Sequence, residues 1–231
     1  MKIYLKSINY YFLTCDTNGK RKYNMMNIFK DYSIIEVNPV LGIHKNQSGP
    51  TGFSRVIDSA LRAQDRSLPF QPFVVMEDDC CKFREFPEYI EIPDDTDILY
   101  IGLSRCGTYK YGSNDKAWNN KVYMKEVNNH IVRIYNMLSL HGIIICSAAG
   151  ALAIQKSMME AYFTDKIWDL YTAYIQPYYN VYALKNPLVY QDKNLGGAEL
   201  ETKIKIEDVI NETLPEDYCH PCISVITCNN K

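Results

Sequence analysis

The chain has 231 residues, 47% of them hydrophobic and 23% charged, the proportions of a globular domain long enough to bury a core without disulfide staples. That excludes general disorder and collagen-like or coiled-coil architectures. Lysine and arginine total 25 against 27 aspartate and glutamate, a net charge of −2, so no field of either sign recruits nucleic acid or anionic lipid non-specifically, and no nucleic-acid partner is expected.

In chain order, Met1 to Cys15 carries no long apolar run and no small-residue cleavage site, so no signal peptide is expected. Ile3 to Ile8 reads as a first buried strand, and Asp16-Thr-Asn-Gly-Lys20-Arg21 as a turn after it. Ser33 to Val37 reads as a second strand. Between Thr51 and Asp65, Phe53, Val56, Ile57, Ala60 and Leu61 share one helical face, and Leu68-Pro69 ends that helix. Phe73 to Met76, Ile98 to Ile101 and Ile143 to Cys146 are further apolar runs of strand length. Ala149 to Phe163 has helical spacing through Leu152, Ile154, Met158, Met159 and Tyr162, and Trp168 to Tyr179 continues as helix. Val181 to Leu184 is a last strand before Asn186-Pro187-Leu188-Val189-Tyr190-Gln191.

Strands alternating with helices predict an α/β fold with a mostly parallel central sheet flanked by helices. Composition changes after Gln191: Gly196-Gly197, a charged stretch of helical character to Ile210, then Pro- and Cys-containing sequence. The expected organisation is a domain over 1–191 and an appendage over 192–231 packing on it. No stretch approaches the roughly 18 uninterrupted apolar residues that cross a bilayer, so no transmembrane segment is expected. The protein is expected to be intracellular and cytoplasmic. Its eight cysteines are expected to be reduced.

Three consecutive carboxylates, Glu77-Asp78-Asp79, follow the apolar run Phe73-Val-Val-Met. A buried strand has no reason to end in three like charges unless something positive sits there. If the extension persists, Glu77 and Asp79 point to one side and Asp78 to the other. Two hard oxygen donors at the carboxyl end of a parallel strand suit Mn²⁺ or Mg²⁺, and that edge of an open α/β sheet is where ligands bind. A solvated acidic turn is the competing reading.

The chain resembles glycosyltransferase family 25 and its GT-A relatives, including those of large DNA viruses. The likeness rests on Ile3-Tyr-Leu-Lys-Ser-Ile-Asn with Arg21 and Met25-Met26, on Gly49-Pro-Thr-Gly52-Phe-Ser54-Arg55, and on Glu77-Asp78-Asp79, similar to the family's Leu-Glu-Asp-Asp segment. Asp97-Ile-Leu-Tyr-Ile-Gly102, Gly142 to Ile154, and Val181 to Gln191 follow as later landmarks. Where the family has a Ser-His pair, this chain has Ser54-Arg55. The resemblance implies a GT-A-like fold and transfer of a sugar from a nucleotide-diphosphate donor, a UDP-sugar, to a glycan or glycoprotein acceptor; for a viral protein the place of action would be the host cytoplasm. It implies Glu77 and Asp79 as holders of Mn²⁺ or Mg²⁺. Asp78, Lys20, Arg21 and Arg55 fall on the donor side, their cations able to steady a diphosphate; an ordinary surface turn for Lys20-Arg21 and an exposed helix charge for Arg55 are the competing readings. Asp165 and Asp169 compete as general base for the acceptor hydroxyl.

The remaining features point elsewhere or nowhere. His44, His130, His141 and His220 lack metal-ligand spacing, although His141 precedes a strand that could bring it near the carboxylates. Cys219-His-Pro-Cys222 has the spacing of a redox pair or half a zinc site, with no second CxxC. A phosphoesterase would want a second acidic cluster at a strand's carboxyl end, and Asp94-Asp95-Thr96-Asp97 precedes its strand. A sugar-binding module with a decayed transferase site also fits the 19 tyrosines.

Overall fold

The computed structural model describes residues 1–14, 19–38, 45–109, 121–196, 203–212 and 214. Cys15, His44, His220, Cys219, Cys222, Cys228, Gly197 and Thr213 lie outside the described residues. The elements are β1 (Lys2–Tyr4), β2 (Asn9–Leu13), α1 (Lys20–Ile28), β3 (Ser33–Val37), α2 (Lys45–Arg62), β4 (Phe73–Glu77), β5 (Cys80–Lys82), β6 (Tyr89–Glu91) and β7 (Ile98–Tyr100). They continue with β8 (Lys121–Glu126), β9 (Ile131–Ile134), β10 (Gly142–Ile145), α3 (Ala148–Thr164), α4 (Trp168–Ile175), β11 (Val181–Leu184), β12 (Val189–Gln191) and β13 (Ile210–Glu212).

A nine-stranded sheet in the order β13-β8-β9-β11-β7-β10-β4-β2-β3 forms the centre. It is mixed but mostly parallel in direction: β9 and β10 run against all the others. The fold is α/β, with the sheet between helices, as the sequence predicts. Strand alternation sorts the core onto two faces. Tyr11, Phe73, Val75, Ile98, Tyr100, Ile143 and Ile145 pack under α2 and α3. Tyr10, Phe12, Val74, Met76, Leu99, Ile101 and Ile144 pack under α1 and the β1-β6 ribbon. Because both faces are covered, the central strands are continuous apolar runs without a polar face.

Three expectations need correction. The stretch Ile3 to Ile8 is not one core strand: β1 pairs with β6 in a separate ribbon, Tyr4 to Ser7 turns back, and the central strand is β2, whose Tyr-Tyr-Phe core the tyrosine ring area disguised. Lys20 and Arg21 open α1 rather than forming a turn, with Gly19 at φ 73 as the residue before the helix. Among its described residues, 203–210, the charged stretch carries a 3₁₀ turn at 206–208 and then β13, which adds to the central sheet beside β8. Among the described residues no helix is long and apolar enough to cross a membrane. Cys80, Cys81, Cys106 and Cys146 are free thiols.

Candidate active site

The register aligns the carboxyl ends of three parallel strands. Val37 of β3 pairs with the neighbourhood of Leu13 of β2, and Leu13 with Glu77 of β4. One residue beyond that row stand Asn38, Thr14 and Asp78. On the far side of β4, the N–H of Glu77 donates to the carbonyl of His141 at 3.3 Å, which brings the segment entering β10 to the same edge. The strand stops at Glu77, and Asp78 and Asp79 form the turn into β5.

Despite that turn, the carboxylates divide as strand alternation predicts. Gln191, at the end of β12, aims Nε2 at Oε2 of Glu77 (2.7 Å) and at both oxygens of Asp79 (3.4 Å each). Asp78 turns the other way, accepting from Thr14 Oγ1 at 2.6 Å and from Arg21 Nη1 at 2.9 Å. Arg21 reaches Asp78 because Gly196, at φ 88, lacks a Cβ that would stand 2.4 Å from Arg21 Nη2. Lys20 stays exposed and donates to the Asn194 carbonyl at 3.3 Å. The segment after β12 is tied to the site by the Asp192 N–H, which donates to the Asp79 carbonyl at 2.9 Å.

Burial lifts the Asp79 carboxyl to about 6; Arg21 opposes that rise, Asp78 adds to it, and Gln191 opposes it. Asp169, in the first turn of α4, is also lifted to about 6 by burial, with the Ser139 backbone N–H drawing it down and Asp79 pushing it up. The two carboxyls therefore sense each other across the site. Although part of residue 169 is open to solvent, its Oδ1 is shielded and has no hydrogen-bond partner. Asp165, the rival position, is the exposed C-cap of α3 at φ 53, a place for a small polar residue at a helix end. Arg55 is exposed and donates to the Asn38 carbonyl at 3.1 Å; with Arg62 it lines a cleft of about 540 Å³ along β3. It lies beside β3, which β2 separates from β4 and Glu77.

Sequence reading missed Thr14, Ser139 and Gln176 as parts of this region, and quoted Gln191 only as a landmark. Thr14, Ser139 and Gln176 lie within no motif; each arrives through strand order or a loop crossing. His141 is buried beside the carboxylates, its ring lodged where Gly102 has no side chain: a Cβ there would stand 2.0 Å from Nε2. Burial lowers His141 to about 4, so the ring is neutral at physiological pH. Asp97 is committed to structure, accepting from Ser147 Oγ at 2.5 Å and from the Asn180 N–H at 3.0 Å.

Among the described residues no cluster of three or more His, Cys, Asp or Glu is arranged as a metal cage. Glu77 and Asp79 nevertheless fit a hard divalent cation. Ions of the Mg²⁺ type take one or two carboxylates and complete their shell with water and substrate phosphate, and the buried Asp79 carboxyl holds charge that a cation would offset.

No family model matches the chain, and no curated protein matches it. Among solved structures, A197 from STIV superposes with a TM-score of 0.39 at 10% identity, covering 93% of this chain and 98% of that one. The CTP:phosphocholine cytidylyltransferase LicC from Streptococcus pneumoniae superposes with a TM-score of 0.39 at 14% identity, covering 81% of this chain and 74% of that one.

Proposed function

We propose that this chain is a metal-dependent glycosyltransferase that moves a sugar from a nucleotide-diphosphate donor, taken to be a UDP-sugar, to a hydroxyl of a glycan or glycoprotein. The observation that carries the reading is the convergence of Glu77 and Asp79 on Gln191 at the carboxyl edge of β4, with the Arg21–Asp78 pair behind them and Asp169 opposite. Glu77 and Asp79 would hold Mn²⁺ or Mg²⁺, which when bound neutralises diphosphate charge as a Lewis acid. Arg21 and Lys20, at the start of α1, lie where a diphosphate would gain cationic and helix-end stabilisation. Gln191 fixes the two carboxylates side by side, so they need not be ordered when donor arrives.

In an inverting transfer Asp169 takes the proton of the acceptor hydroxyl as its oxygen bonds to the anomeric carbon. The bond from that carbon to the diphosphate oxygen breaks, and its electron pair leaves on the diphosphate. A carboxyl held near 6 is mostly ionised at pH 7 yet basic enough to accept a proton in the transition state. Of the two sequence candidates, Asp169, half-buried with its carboxyl lifted by burial, is favoured over the solvated cap Asp165.

The test is a thermal-shift panel of UDP, GDP, CMP and their sugars, each with Mn²⁺ or EDTA, followed by donor turnover. A UDP-sugar is expected to raise Tm only with metal, by about 2.7 kcal/mol of stabilisation at one hundred times its Kd. A shift without turnover would leave a sugar-binding module. No shift with any of them would reduce Glu77-Asp78-Asp79 to an acidic turn.

A further inference from the structure

Helices α2 and α3 cover the same face of the sheet, and Gln155 of α3 donates to Asp58 Oδ1 of α2 at 2.6 Å. Nearer the carboxyl edge the two helices leave a groove of about 340 Å³, within the range of small-molecule sites. Pro50 of α2 and Met158, Met159 and Phe163 of α3 form its walls. Thr51 adds little polarity, because its hydroxyl bonds back to the Gln47 and Ser48 carbonyls of its own helix at 3.0 Å each. Arg55 is the one charged residue of the lining among the described residues, and it is exposed. Met159 and Phe163, although large and apolar, stay 56% and 75% exposed.

The groove is fixed to the candidate site at two points. A Cβ at Gly52 would stand 2.5 Å from Leu13 Cδ1, and Leu13 pairs with Glu77. A Cβ at Gly49 would stand 2.5 Å from Cζ3 of Trp168, the neighbour of Asp169. An apolar slot in this position suits a hydrocarbon chain, because the methionine side chains adapt to an aliphatic ligand. A second copy of this chain fits less well: a twofold contact through the groove would bring each Arg55 near its counterpart, and like charges repel. An anion at the head of a hydrocarbon chain meets a cation there instead.

We propose that this groove binds the hydrocarbon chain of an amphipathic molecule whose anionic head meets Arg55, and that this molecule carries the hydroxyl that accepts the sugar. The binding stands on the groove alone, while the role as acceptor rests on the transferase reading.

The probe is dodecyl phosphate, kept below its micelle concentration and titrated into the full chain with isotope-labelled methionine methyls. The Met158 and Met159 methyl signals are expected to shift and to saturate at one probe per chain. Met159→Glu and Phe163→Glu, at exposed positions, should each weaken binding more than tenfold by placing a charge in the apolar slot. Leu152→Glu, 53% exposed on the same helix but outside the groove, should leave binding within about twofold. No saturable binding, or equal losses in Leu152→Glu and Met159→Glu, overturns the proposal. Dodecyl maltoside, with the same chain and a neutral head, should bind at least about fivefold more weakly, and equal affinity would overturn the place given to the anion. Binding to phosphatidylglycerol vesicles without binding of the monomeric probe would make this a membrane-facing surface. A dimer dissociated by Phe163→Glu, again without probe binding, would make it an interface between copies; either result overturns the groove. For the acceptor role, a sugar acceptor found by donor turnover is offered with and without a dodecyl chain. The chain should lower its KM more than tenfold, and Met159→Glu should erase that difference, whereas equal KM values overturn the role. If no nucleotide-sugar binds at all, the transferase reading fails while the methyl shifts still decide the groove.

Discussion

Burial of the Asp79 carboxyl beside Asp78 makes its charge costly at neutral pH, and the direction of the pH dependence follows. Its folded value of about 6 lies above the roughly 3.9 of an unfolded aspartate. Between those values the folded state keeps a proton that the unfolded state has lost, so stability falls as pH rises through the window. The penalty is complete about one unit above the folded value, near pH 7. Asp79→Asn removes it and keeps an oxygen for Gln191. In EDTA at pH 7 this variant should melt above wild type, by an amount on the order of 2 kcal/mol, with the difference vanishing below about pH 4. The same variant should lose any metal-dependent shift and more than a hundredfold in turnover. A variant that melts lower at pH 7 and stays active would remove Asp79 from the metal site. Arg21→Ala strands Asp78, whose side chain is 5% exposed, and leaves the Thr14 hydroxyl donating to it. Because the arginine side is 30% exposed, the expected loss is about 1–2 kcal/mol rather than the full cost of breaking a buried pair, measured by urea denaturation.

At the scale of elements, α3 is held by its start. Ser147 accepts the Gly150 N–H at 3.0 Å while donating to Asp97, and Gly150 packs so closely that a Cβ would stand 2.4 Å from the Asp97 carbonyl oxygen. Ser147→Ala should cost about 1 kcal/mol, and Gly150→Ala more, because its obstacle is backbone; chemical denaturation ranks them, and equal or reversed costs would count against the packing argument. That close approach also explains an error of sequence reading. Spacing selects Leu152, Ile154, Met158, Met159 and Tyr162 as the buried face, yet Leu152 and Met159 are 53% and 56% exposed. The face against the sheet and α2 is Gly150, Ala151, Ala153, Ile154, Ser157, Met158 and Ala161. Small residues line it because the helix sits close, and side-chain size misleads where proximity decides. The strand Phe73–Glu77 and helix α2 are legible because their apolar residues are large and their periods clean.

For the whole molecule, the boundary at Gln191 divides sequence character rather than packing. Ile204 and Val209 belong to the core that contains α2 and α3, and β13 extends the central sheet. A chain ending at Gln191 should therefore lose about 1.5–3 kcal/mol for each of those side chains and expose the β8 edge, seen as a lower Tm and a tendency to associate. Retention of the full melting temperature would make the tail a true appendage. The sheet order was not readable from the chain, because β10 inserts antiparallel between β4 and β7, and β8, β9 and β13 are short or polar strands whose pairing is decided at long range.

By itself the amino-acid sequence determined the α/β class, the apolar strands and the acidic motif at the end of Phe73–Glu77, since each is written in local periodicity and composition. The separation of Glu77 and Asp79 from Asp78 coincides with what strand alternation predicts, although Asp78 and Asp79 lie in the turn beyond the strand. Only tertiary structure decided that Gln191 bridges the first two, that Arg21 neutralises the third, and that Asp169 has a shielded carboxylate oxygen while Asp165 is an exposed helix cap. Those pairings join residues from distant parts of the chain, and nothing in local sequence fixes which strands meet or which turn of a helix looks inward.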